Sequence, residues 1–159
     1  MPDNLGGVPS IVVATVYAEA LGQNVQSKIA VANAIENRFQ DTTYEFRNLP
    51  TYSRVISSKN AFESFGNVNF RLVSNVLAGR KSGEHLTSKQ RQALIDSFIA
   101  AWVVYNSILP DTTSGALYFY SPYIDQPAYI TQGLASGTLE EVYPADVNPN
   151  KFKFFRRSQ

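Results

Sequence analysis

The stretch Ser10-Ile11-Val12-Val13-Ala14-Thr15-Val16-Tyr17-Ala18-Glu19-Ala20-Leu21-Gly22 decides the fold. Ser10, preceded by Pro9, is suited to cap the first turn of a helix, and Gly22 supplies a C-terminal stop. Between them Glu19 is the one charged residue, so the helix predicted over 11–21 is apolar nearly all round. Such a helix is buried on most of its faces.

Working outward, a second helix is predicted from about Val25 to Phe39, where Val25, Ile29, Ala32, Ile35 or Glu36, and Phe39 fall at helical spacing. The stretch 40–66 is rich in Thr, Asn, Ser and aromatics and reads as long irregular structure. Loops of that length are functional or disordered as a rule, and Tyr44, Phe46, Tyr52, Phe62, Phe65 and nearby Phe70 argue against disorder. A short helix is predicted from Phe70 to Ala78, ended by Gly79. After a polar loop, Thr87 or Ser88 caps the longest helix, to about Ile108, with Leu94, Phe98, Ala101, Trp102 and Tyr105 as its inward stripe. Ala116 to Tyr120 is a strand candidate stopped by Pro122, and the remainder is turn-rich with weak extended segments. The fold class expected is α+β, mainly α, with a small β element.

Composition bounds the chemistry. A chain of 159 residues, 44% apolar and 17% charged, fits a single domain over 1–159 and can bury a core without covalent staples. It has no Cys and one His, His85, so neither a thiolate nucleophile nor a zinc site is expected. A net charge of +1 gives no reason to expect nucleic acid as partner. No apolar run approaches the length of a membrane helix, and the opening residues 1–7 lack the basic and apolar regions of a signal peptide. No metal or organic cofactor is implied.

Glu19 is the residue that could carry chemistry. An apolar setting disfavours a carboxylate and raises its pKa, which is what a general acid near neutral pH requires. The plainer reading is that Glu19 marks the one solvent-facing spot on a helix packed elsewhere.

The run Val16-Tyr17-Ala18-Glu19-Ala20-Leu21-Gly22-Gln23, followed by Ile29-Ala30-Val31-Ala32-Asn33-Ala34-Ile35-Glu36-Asn37-Arg38, resembles the opening of the spore-cortex-lytic (SleB-like) cell-wall hydrolases. Val55-Ile56 and Ala61-Phe62-Glu63-Ser64 stand where that family has a Gln-Phe-Ser segment. Gly115-Ala116-Leu117-Tyr118-Phe119-Tyr120-Ser121-Pro122 and Lys153-Phe154-Phe155-Arg156 are similar to its later strands, in the family's order. The resemblance implies a lysozyme-like fold, with Glu19 as the catalytic acid. It further implies cleavage of the MurNAc–GlcNAc β-1,4 linkage of peptidoglycan by a lytic transglycosylase, in which one Glu is both acid and base. The chain departs from the pattern at Leu21 and Gln23, where the family shows Arg and Glu, at Ala61 and Glu63, and at Tyr120.

Two other readings stand beside this one. Glu63 could activate a water and make the protein an inverting muramidase with two carboxyl groups, or it is a solvated loop side chain. A glycan-binding module that kept the fold and lost activity is the second alternative. Phe62, Glu63 and Ser64 are candidate substrate-binding residues, as are Tyr118 and Tyr120, which share one strand face while Leu117 and Phe119 share the other. The tyrosines would stack on sugar rings, or they are ordinary half-buried strand residues. Asn37 and Arg38 read as structural, bonding loop carbonyls at a helix end; Glu84 and His85 read as surface. The tail Lys151-Phe152-Lys153-Phe154-Phe155-Arg156-Arg157 reads as a last strand, aromatic face inward and cations outward. The partners expected are peptidoglycan glycan strands, with an immunity or delivery protein as a further candidate, and no membrane insertion. The place of action expected is the cell wall, in the periplasm or outside the cell, which requires either something else to deliver the chain or a longer protein of which it is a domain.

Overall fold

The structure is a computed structural model and describes residues 4–5, 7–41, 43, 46, 51–58 and 66–159. Its axis is helix α1 (Ser10–Glu19), whose residues from Val12 to Tyr17 are all buried, as its nearly continuous apolar composition requires. Thr15 is tolerated inside because its hydroxyl donates back to the Ile11 carbonyl at 2.7 Å. The N-cap is Pro9 rather than Ser10, with no side-chain cap bond. Val8–Pro9 (β2) pairs instead with Asn4–Leu5 (β1) and leads directly into the helix. The helix also ends earlier than Gly22 suggests, with Ala20 as its C-cap.

Helix α2 (Val25–Gln40) follows, its first turn capped by the Asn24 side chain accepting from the Ser27 N–H at 2.9 Å. Two short helices, α3 (Tyr52–Ser57) and α4 (Val68–Leu77), carry Thr51 and Asn67 as caps. The six residues of α3 fall inside the stretch read as irregular, being too few for a helical period to register. A 3-10 turn at Gly83–His85 precedes α5 (Ser88–Tyr105), which opens with the capping box of Thr87 and Gln90. A last helix, α6 (Ala128–Ala135), was hidden in the turn-rich remainder.

The inward stripe of α5 differs from the one its large residues suggest. Ser97, Ala100, Ala101 and Val104 are buried, Leu94 and Phe98 are half-buried against the core, and Trp102 and Tyr105 are 39% and 41% exposed. The helix packs on both α1 and α2, and its small residues let the backbones approach while the rings move to the flanks.

The β element is a sheet of β3 (Tyr118–Tyr120), β4 (Leu139–Val142) and β5 (Lys153–Arg157) in the order β3-β5-β4, all neighbours antiparallel. Phe154 and Phe155 point to opposite faces of β5, one into each of two hydrophobic clusters, and each is fully buried. The tail therefore has two aromatic faces rather than one. Its cations sit among carboxylates, Lys153 with Glu141, Arg156 with Glu140 and Arg157 with Asp41. Phe119 joins Phe152 and Phe154 in the main core, and Tyr118 and Tyr120 join Phe155 and Ile130 in a second cluster. Leu117 lies with the tyrosines, not with Phe119, since the strand begins only at Tyr118 and alternation does not reach back to it.

Candidate functional site

Glu19 is the last residue of α1 and is half-buried, between fully enclosed Tyr17 and Ala20. The turn after it is fixed at several points. The Ala20 N–H closes the helix on the Val16 carbonyl at 3.0 Å, and the Gln23 N–H bonds the Ala20 carbonyl at 3.0 Å. Lys28 reaches back from α2 and donates from Nζ to the Ala20 and Gln23 carbonyls, at 2.7 Å each. The Ala20 carbonyl lies at the negative end of α1, where a cation is well placed. Lys28 is 1% exposed. Burial pulls its pKa below the ordinary lysine value, and the charge of Asp96 on α5 opposes that pull. Asn24 completes the frame, donating from Nδ2 to the Asp146 carbonyl at 3.0 Å.

That last bond orients the sheet. Asp146 lies in the loop between β4 and β5, and this loop leaves the sheet at the end where Val142 pairs with Phe154 and Tyr120 with Lys153. The opposite end is held at the far end of α2, where Arg157 grips Asp41 with two bonds of 3.0 Å. Burial pushes the Asp41 carboxyl up, but the bonds from Arg157 and Thr43 outweigh it and hold it low. Between the two ends, Arg38 donates to the Leu117 carbonyl and Asn37 to the Ala116 carbonyl at 3.0 Å. Both have the structural role read from sequence; the Arg38 guanidinium also lies over the rings of Phe46 and Tyr118. With 16 residues, α2 is about 24 Å long, and it is bonded near its start to the β4–β5 loop and at its end to Arg157 of β5.

The expected site residues divide accordingly. Phe62, Glu63 and Ser64 lie outside the described residues. Tyr120 is 9% exposed, stacks on Phe155 and donates its hydroxyl to Gln126 at 3.2 Å. Tyr118 is 6% exposed and borders a cavity of about 450 Å³ with Tyr129, Gln132, Ser136 and Arg157. The two tyrosines share a face as expected, but neither ring lies open as a stacking surface. Glu84 and His85 are exposed. A larger cavity, about 650 Å³, is lined by Ser10, Tyr52, Phe70 and Arg80 around the start of α1, the end opposite Glu19. Among the described residues no group of His, Asp and Glu is arranged to hold a metal ion, and no helix is long and apolar enough to cross a membrane.

Lys28 is the residue that sequence reasoning missed. Its signal was present: Lys28, Val31, Ala32 and Ile35 lie at helical spacing on the buried face of α2, so a charge stood in an inward stripe. Asp111 is a second polar residue with a fixed structural role. It accepts from Thr113, Gly115 and Asn37, which organises the turn leading to β3.

The turn behind Glu19 is thus fastened by the Lys28 ammonium and the Asn24 side chain. A family model described as Cell Wall Hydrolase matches residues 22–140, well over half of the chain. No curated protein matches the chain. Among solved structures, the catalytic domain of the germination-specific lytic transglycosylase SleB from Bacillus anthracis is similar at a TM-score of 0.51 and 21% identity, covering 91% of this chain and 90% of that one. The catalytic domain of the Bacillus cereus SleB protein gives 0.49 and 20%, covering 91% and 86%. At such identity the first of these likenesses establishes a shared fold.

Proposed function

The chain belongs to the cell wall hydrolase family, and on that premise we propose that it cleaves the MurNAc–GlcNAc β-1,4 linkage of peptidoglycan as a lytic transglycosylase, with Glu19 as its acid and base. The observation that carries the reading is the placement of Glu19. It is the one charged residue of a buried helix, it stands at that helix's last position, and the turn behind it is fastened by Lys28 and Asn24.

In this mechanism the Glu19 carboxyl protonates the bridging glycosidic oxygen as its bond to the muramyl C1 breaks. The carboxylate left behind takes the proton of the muramyl 6-hydroxyl, whose oxygen attacks C1 and closes a 1,6-anhydro ring. Both reacting groups of the second step are already held on one substrate, so no water has to be recruited. The glycan lies across the Glu19 tip of α1. Residues 1–159 form one catalytic domain that acts at the wall.

The test is clearing of purified peptidoglycan by wild type and Glu19→Gln. Gln is close in shape but cannot exchange the proton, so the rate should fall by at least ~10²–10⁴-fold with the circular dichroism spectrum unchanged. A folded Glu19→Gln that clears wall at the wild-type rate would remove Glu19 from the mechanism.

A further inference from the structure

We propose that Lys28 is the positioning residue for Glu19, its buried ammonium locking the turn that ends α1 and so setting where the acid points. The proposal rests on Glu19 being the acid. Lys28 spans the turn by bonding the carbonyls of Ala20, one residue beyond Glu19, and of Gln23, with equal distances of 2.7 Å. Water or a hydroxyl could satisfy either carbonyl. An ammonium has three donors on one compact centre and can tie both to a single point. That point belongs to α2, a capped helix buried along most of its length, and is not a mobile surface stem.

Burying a cation is costly, and here the opposing charge comes from Asp96 on another helix, α5. The turn after Glu19 is thus tied through one side chain to α2, which packs on α1. An acid that must meet a glycosidic oxygen needs its carboxyl held within about 0.5 Å of the productive position. A freely relaxing turn one residue away would not hold it there.

Lys28→Met keeps most of the stem and removes the donors; Lys28→Gln keeps a shorter, neutral donor. Both are compared with wild type and Glu19→Gln on soluble, uncrosslinked glycan strands, well below each variant's unfolding midpoint. Lys28→Met should lose roughly 10- to 100-fold in kcat with KM within about twofold, because misplacement of the acid weakens the transition state and not binding. Lys28→Gln should recover part of that loss. A folded Lys28→Met with wild-type kcat would overturn the proposal, as would a loss that appears in KM or follows the unfolded fraction. If neither variant folds, Lys28 is a fold residue and the proposal fails. An active Glu19→Gln sinks the reading of the acid itself, whereas an inactive Glu19→Gln beside a fully active Lys28→Met sinks the positioning role alone.

Discussion

Tyr17, two residues before Glu19, is fully buried, and among the described residues its hydroxyl has no hydrogen-bond partner. Burial alone pushes its pKa up. A buried hydroxyl without a partner costs about 1–3 kcal/mol, so Tyr17→Phe should leave the thermal midpoint unchanged or raise it. A clear drop would mean that the hydroxyl is bonded in solution. Asp111 is the opposite case. Burial pushes its carboxyl up, but the bonds from Thr113, Asn37 and Gly115 win and hold it below its unfolded value. A carboxyl depressed in the folded state contributes stability that is present above the unfolded value, roughly 3.9, and lost as pH falls through the folded one. Unfolding midpoints should therefore fall as pH drops below about 4, and Asp111→Asn should flatten that fall. Equal slopes for wild type and variant would contradict the assignment. Glu19 was legible from sequence because a lone charge in an apolar helix is conspicuous. Lys28 was not, since it is surrounded by polar neighbours at 26 and 27 and only its face betrays it.

At the scale of elements, α5 shows where periodicity misleads. A stripe drawn through its largest residues puts Trp102 and Tyr105 inside, but close packing on two helices selects Ser97, Ala100 and Ala101. Ala101→Leu should destabilise by about 1–3 kcal/mol through overpacking, and Trp102→Ala, at a 39% exposed site, should cost less. Denaturant midpoints decide the order, and the reverse order would restore the large-residue stripe. Long, strongly patterned elements were legible: α1, α2 and the basic-aromatic strand β5 all stand close to where the sequence puts them. The six residues of α3 and eight of α6 were not, because tertiary packing rather than a repeating pattern holds them. The two-sided burial of β5 was likewise invisible, since it depends on separate clusters packing on the Phe154 and Phe155 faces.

For the whole molecule, the arrangement is a buried helix with an acid at its tip and a sheet laid along α2, fastened at Asn24–Asp146 and at Arg157–Asp41. Family membership was legible in the order of short motifs from Val16 to Arg156, none of which decides it alone. The choice between one carboxyl and two was not, because sequence spacing does not fix the distance between Glu19 and Glu63. The measurement that decides it is mass spectrometry of the muropeptides released from purified peptidoglycan. If Glu19 works alone, the glycan ends are 1,6-anhydro-muramic acid, each lighter by one water than a hydrolysis product and without a reducing end, and Glu63→Gln leaves them unchanged. Products dominated by reducing ends, with Glu63→Gln nearly as damaging as Glu19→Gln, would contradict it and make the protein an inverting muramidase.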